Sequence, residues 1–358
     1  MNTTAGWQGI HDTHHDLMFG IYRTTLALMV VVQHLANVHM IGVYAVFGFY
    51  MLSGYLMTYI VQQNYGYTFD GIRKYALNRF LRIYPLYWLS VLMALGLIAW
   101  VGQDVVRRFH GVMYLPTTWG EITKNVLILF PYQEAPRLTP PAWALTVELV
   151  YYVAIGLGLS RTRVLTVVWF AVSVGYHVAA TALDMSWNWR YFYIPAASLP
   201  FATGAMLYHF RPQLLAAARR VKSLDGVLLA VVVMLFFNWT VMHQSEATKA
   251  LGFYLNYAIN ALLMGVLIAM QGMGRHRAIR TLDKKIGDLS YPIYLIHFQV
   301  AIVAALLAER YLGITLQSLT PQILLAALCL LLPAAWLLAV LIDKPIERLR
   351  DRVKNMVG

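Results

Sequence analysis

PQILLAALCLLLPAAWLLAVLI, residues 321–342, runs for twenty-two residues without a charged side chain. An α-helix needs about 20 apolar residues to cross the hydrocarbon of a bilayer, whereas a β-strand needs about 9–11. The run is too long for a strand and reads as a helix. Nine further runs of the same character lie near residues 20–38, 40–61, 83–101, 141–159, 164–183, 191–210, 225–243, 250–271 and 286–308. Only helices and closed barrels satisfy their backbone hydrogen bonds within lipid. The sequence therefore predicts an all-α polytopic membrane protein with about ten transmembrane helices, forming one domain over residues 1–358. The stretch 121–131 is apolar but short, and reads as an interfacial or re-entrant piece.

Composition points the same way. Apolar residues make up 59% of the chain and charged residues 12%, with a mean hydropathy of +0.58. A soluble globular protein carries about 25% charged residues. A water-soluble enzyme, a disordered chain and a secreted disulfide scaffold are all excluded, and the single Cys329 cannot form an internal bridge. The net charge of +12 would suggest nucleic acid in a soluble protein. Here the basic residues sort by side. The segments after the even-numbered spans, at 73–82, 161–163, 211–222, 275–285 and 344–354, hold twenty of the twenty-eight Lys and Arg residues. Seven lie on the opposite side, and Arg23 alone sits at a span entrance. Basic residues are retained in cytoplasmic loops, so both termini are expected in the cytoplasm. This accounts for the basic excess with membrane lipid and without nucleic acid. No cleavable signal is evident, because the first run follows a polar head with His11, His14 and His15 and contains Arg23.

An ionisable side chain inside a span is costly unless paired or wet, and so is a functional candidate. Of sixteen acidic residues only Glu148 lies well inside a span; His34, His177 and His297 are also deep. Arg23 and His34 are eleven residues apart, about three helical turns, so they share one face about 16 Å apart along the axis. Glu148 follows Pro141 by seven residues, which places it about 10 Å in from the opposite surface, near the expected depth of His34. A carboxylate beside an imidazole fixes its tautomer and strengthens it as a base. Simpler readings stand beside these. His177 reads as a structural hydrogen bonder. Arg23 can be a snorkelling anchor, and Tyr84–Trp88 and Trp187–Tyr193 read as interfacial aromatic belts. His11, His14 and His15 suggest a mobile tail rather than a metal site. No phosphate loop, paired-Cys metal site or nucleophile elbow is present, and no metal is expected.

Six segments together resemble the acyltransferase-3 family of integral membrane O-acyltransferases. Arg23 and His34 in the first span resemble the family's most specific feature. FGFYMLSGYLMT (Phe47–Thr58) contains the Ser53–Gly54 pair, and RFLRIYPLYW (Arg79–Trp88) is close to the family form. WALTVELVYY (Trp143–Tyr152) is similar with Ala144 in place of the usual Ser. SYPIYLIH (Ser290–His297) is also close, and DKPIER (Asp343–Arg348) resembles a terminal E-x-P ending with Asp in place of Glu.

The resemblance implies transfer of an acyl group, usually acetyl, from cytoplasmic acyl-CoA to a hydroxyl of a surface polysaccharide or its lipid-linked precursor. The setting it implies is the bacterial inner membrane, where exopolysaccharide biosynthesis would bring polysaccharide-assembly proteins as partners. Acyl-CoA enters as donor substrate, and no tightly bound cofactor is expected. His34 and Glu148 are the expected catalytic residues. Arg23, Arg79 and Arg82 are expected to hold the donor phosphates, and Ser53, Tyr84, Trp143, Tyr291 and His297 to bind substrate or support the site. His34 acts either as general base or as the acyl carrier. No fused periplasmic hydrolase-like domain is expected, so any second transfer step would fall to a separate protein. An exporter of an acylated metabolite or glycan is the competing reading, since ten spans with buried ionisable groups suit a transporter in general. A structural subunit of an assembly complex ranks last, because it gives Arg23 and His34 no task.

Overall fold

The computed structural model describes residues 19–242, 246–271, 277–315 and 320–355; His11, His14 and His15 lie outside the described residues. Among the described residues there are helices and no strands. In chain order the helices are α1 (Gly20–Ala36), α2 (Ile41–Ile60), α3 (Phe69–Val101), α4 (Gln103–Phe109), α5 (Trp119–Leu127) and α6 (Ala142–Gly156). They continue with α7 (Arg163–Ala182), α8 (Trp187–Arg190), α9 (Ile194–His209), α10 (Arg211–Ala218) and α11 (Leu224–Met242). The last are α12 (Glu246–Gln271), α13 (Arg277–Gly287), α14 (Ser290–Leu312), α15 (Pro321–Leu338) and α16 (Lys344–Asn355). Each of the ten apolar runs coincides with one of these helices. The chain is an all-α polytopic membrane protein. Seven helical segments, built on α2, α3, α7, α11, α12, α14 and α15, are long and apolar enough to cross a bilayer. The helices α1, α6 and α9 are shorter, at 17, 15 and 16 residues.

Burial divides the helices into interior and peripheral ones. Most of α2 and α14 is buried, whereas α11 and α15 expose leucine, valine, phenylalanine and tryptophan side chains such as Leu229, Val233, Phe237, Leu325 and Trp336. Apolar surface of that extent belongs against lipid tails.

Helix packing inside lipid depends on close backbone approach, because burying apolar side chains gains nothing relative to lipid. The contact of α2 with α9 shows this. A Cβ on Gly54 would lie 2.1 Å from the Phe201 carbonyl oxygen, and one on Gly204 would lie 1.9 Å from that of Met51. The two glycines interlock, and no side chain fits at either position. The start of α1 is held in a similar way. Asp283 on α13 accepts from the Gly20 and Ile21 amides at 2.7 and 2.9 Å, supplying the acceptors the first turn lacks. Thr24 Oγ1 donates to the Ile286 carbonyl at 2.7 Å. At the far end of α1, Gln33 Oε1 accepts from the Gly42 and Val43 amides and caps α2. Arg23 and His34 are thus carried on a helix anchored at both ends.

The structure sharpens two local expectations. The run at 83–101 is only the second half of α3, which starts at Phe69. Thr68 caps that helix by accepting from the Gly71 amide at 3.2 Å, and Lys74 pairs with Asp70 in its first turns. Arg79 and Arg82 therefore stand on a helix and not in a loop. The second concerns the stretch 121–131, which divides. Its first part lies in α5, closed by a capping box of Thr118 and Glu121, with Trp119, Ile122 and Val126 exposed, and beyond the helix Ile128 and Phe130 are buried in the core. The chain runs inward again at 136–141, where every residue is buried.

Gly54→Ala should lower the thermal midpoint of the purified protein by several degrees, because the added methyl meets backbone rather than a flexible side chain. An unchanged midpoint in a detergent-solubilised thermal melt would show that α2 and α9 separate at no cost.

Candidate functional site

Two cavities lie at opposite ends of α1. The first, of about 130 Å³, is lined among others by Arg23, Ser53, Arg79, Arg82, Glu148 and Tyr152. Each side chain is delivered by a separate constraint. Arg23 comes one turn after the Asp283 cap, and its Nε is buried without a partner. Arg79 is buried; it donates to the Met57 sulfur at 3.5 Å and to Asn78 Oδ1, and its Nε too is buried without a partner. Arg82 faces Asp343 at 3.6 Å and lies over the Tyr291 ring at 5.4 Å. Tyr291 is fixed by donating to the Ile83 carbonyl at 2.8 Å. Glu148 Oε1 accepts from Ser53 Oγ at 2.8 Å, and Ser53 also meets the Tyr152 hydroxyl at 3.3 Å. Buried guanidinium donors without partners invite an anion with several acceptor oxygens.

The second cavity, of about 340 Å³, is lined by Gln33, His34, Asn37, His39, His110 and Phe298, among others. No Lys, Arg, Asp or Glu lines it. Here His34 Nδ1 lies 3.0 Å from His297 Nε2, and His297 Nδ1 lies 2.9 Å from the Tyr294 carbonyl oxygen. The chemistry of these contacts fixes the protons. A carbonyl only accepts, so His297 carries its proton on Nδ1. A second proton on His297 would create a charge on a side chain with no exposure and no carboxylate partner, so Nε2 is bare. It accepts from His34 Nδ1–H, and this leaves the His34 Nε2 lone pair free on a residue that lines the cavity. Phe298 stacks on His34, and His110 meets Phe298 edge-on at 4.4 Å.

The expected partnership of His34 with Glu148 is not formed. Tyr294 explains why: its hydroxyl donates to the Pro141 carbonyl at 2.9 Å. The start of α6 is thus already level with Tyr294, deep in the bundle, because 136–141 dips inward. Seven residues further, Glu148 has moved away from the histidines and toward the arginines. The depth of Glu148 was reckoned from a surface at which α6 does not begin.

The other expected residues are placed as follows. Arg23, Arg79, Arg82, Ser53, Glu148 and Tyr291 are brought together, and His34 and His297 form a separate pair. Tyr84 supports instead of touching either cavity. Tyr84 Oη, Tyr87 Oη and Trp88 Nε1 donate to the carbonyls of Leu127, Asn125 and Val126 at 3.0, 2.6 and 2.9 Å. They satisfy the last turn of α5, so this stretch is a clamp more than an interfacial belt. Trp143 is buried against Tyr191 and Phe192. His177 meets the Ala196 carbonyl and the Tyr254 hydroxyl, which is the structural role read from the sequence. Sequence reasoning missed Tyr152, Tyr294 and His110. The first two follow Glu148 by one turn and precede His297 by one, so helical spacing pointed to them; His110, in an irregular segment, gave no signal. Among the described residues no cluster of His, Cys, Asp or Glu is built to hold a metal ion.

A helical chain with one buried cationic site and one buried imidazole pair is an integral membrane protein equipped for chemistry on a polar substrate. Residues 14–340 match the family model described as an acyltransferase domain, and the chain belongs to the acyltransferase-3 family. It is a membrane acyltransferase. No curated protein and no solved structure matches the chain.

His110 gives a pH test of this packing. Burial, with a smaller effect from Arg137, lowers its pKa from 6.5 to about 4. The unfolded chain takes up this proton near pH 6.5 and the folded chain does not. Stability from this group is complete above that pH and is lost as the pH falls toward 4. The loss of thermal stability between about pH 7 and about pH 5 should be smaller in His110→Gln than in the parent. An equal loss would show that His110 titrates as in water.

Proposed function

We propose that this membrane acyltransferase is an acyl-CoA-dependent O-acetyltransferase of the bacterial inner membrane, acting on a surface polysaccharide or its lipid-linked precursor. In this reading all ten apolar helices span, both termini are cytoplasmic, and the arginine cavity opens to the cytoplasm. The uneven distribution of Lys and Arg supports that orientation. The observation that carries the reading is the chain of contacts from the Tyr294 carbonyl through His297 to His34, which assigns a bare Nε2 to His34.

The chemistry runs as follows. Arg23, Arg79 and Arg82 hold donor phosphates through guanidinium forks. In this reading the donor's arm runs along α1 from the arginines toward His34. An acceptor hydroxyl is far too weak an acid to ionise alone, and His34 Nε2 takes its proton as the oxygen attacks the thioester carbonyl. The C–O bond forms, the C–S bond breaks, and the thiolate recovers the proton from His34. His297 stabilises the transient imidazolium by accepting from Nδ1–H. The cavity beside His34 has no charged lining residue, which suits a neutral sugar hydroxyl. Glu148, held by Ser53, acts at the donor end and not on His34.

His34→Ala should lower acetylation of surface glycan by about 10²–10⁴-fold with the protein still in the membrane, measured by mass spectrometry of the glycan. Retained acetylation would remove His34 from the chemistry. His297→Leu should lower turnover while leaving donor affinity unchanged, since it removes only the acceptor of the His34 proton.

A further inference from the structure

The family match ends at residue 340, yet the chain continues through a π-helical turn, Ala339–Asp343, into α16. This helix is not a loose tail. Asn78 on α3 donates from Nδ2 to the Arg350 carbonyl at 3.5 Å and accepts from Arg350 Nε on its Oδ1 at 3.3 Å. The same Oδ1 accepts from Arg79. Two guanidiniums therefore share one neutral oxygen on a buried side chain.

That arrangement is unusual for what it lacks. Like charges so close repel, and a carboxylate would normally lie between them. The nearby carboxylates have other direct partners, and Glu347 and Asp343 reach Arg350 only through space. Asp283 caps α1, Asp343 faces Arg82, and Glu347 pairs with Lys284 at 3.0 Å. Glu148 is bonded by Ser53, and Asp288 is shared electrostatically between Lys284, Arg82 and Arg23. Among the described residues no ion pair is formed by Arg23, Arg79 or Arg350. Arg348 and Arg352 on α16 face outward, while Arg350 turns to α3 beside Arg79. The line of arginines thus extends from the cavity wall to α16, and three of its members, Arg23, Arg79 and Arg350, have no ion-pair partner among the described residues.

Resting on the acyl-CoA reading above, we propose that Arg350 binds the ribose 3′-phosphate of the donor, making α16 part of the donor site. The order of groups in acyl-CoA supports this assignment. The thioester is at one end, the diphosphate lies in the middle, and the 3′-phosphate sits at the nucleotide end. Arg23, Arg79 and Arg82 line the cavity, and Arg350 stands behind Arg79, away from it. The phosphate farthest from the reacting carbonyl is assigned to the arginine that stands outside the cavity lining. A phosphate monoester, with two charges and three terminal oxygens, suits a planar fork.

The test compares acetyl-CoA with 3′-dephospho-acetyl-CoA, by equilibrium binding to the purified full-length protein in lipid nanodiscs. The parent should bind acetyl-CoA about tenfold more tightly than the dephospho donor. Arg350→Gln should lose that preference, weakening acetyl-CoA about tenfold and leaving the dephospho donor unchanged. Arg23→Gln should weaken both donors. Equal weakening of both donors in Arg350→Gln would make α16 a structural support and overturn the proposal, as would no change with either. Absence of donor binding by the parent would instead remove the acyl-CoA reading itself, and this proposal with it.

Discussion

A hydrogen bond between two imidazoles organises the reactive end of this protein. His34 and His297 are neutral side chains in a bundle that exposes little but hydrocarbon, and each ring must place one proton. The Tyr294 carbonyl decides for His297, and His297 then decides for His34. A backbone group on α14 thus determines which nitrogen of a residue on α1 is basic. The arrangement tolerates little displacement. It explains why α1 is fixed at its start by Asp283 and near its end by Gln33. It also gives a reason for the glycine contact of α2 with α9, since α2 carries Ser53 to Glu148 beside the arginines.

The two cavities divide charged from uncharged polar groups, and the proposed reaction uses one for the donor and the other for proton transfer. Guanidiniums and the one carboxylate well inside a span are gathered at one end, and histidines in a cavity lined by no Lys, Arg, Asp or Glu at the other. Separation has a physical benefit. A buried arginine beside His34 would disfavour the imidazolium that forms during proton abstraction. In the proposed reaction, holding the cations about three helical turns away keeps the base effective while a charged donor is anchored.

Much of the fold was legible because lipid imposes simple rules. Ten apolar runs gave ten helices, and the Arg23–His34 spacing put both on one helix face. Where the reading failed, the cause was three-dimensional. Depth along a helix is readable only if the helix starts at the membrane surface, and α6 starts inside, below the buried segment 136–141. His34 therefore meets His297 and not Glu148. Hydropathy locates the apolar half of α3 and is blind to the polar half that carries Arg79 and Arg82. Tyr84 and Trp88 have the composition of an interfacial belt, and only the position of α5 shows that they cap its carbonyls.

The central claim is a statement about protons, and it can be measured directly. Nitrogen-15 NMR of histidine-labelled protein in lipid, with His34 assigned by its loss in a substituted sample, reports which ring nitrogen is protonated. The account predicts neutral His34 with the proton on Nδ1 and a bare Nε2 at neutral pH. A proton on Nε2, or an imidazolium, would contradict it.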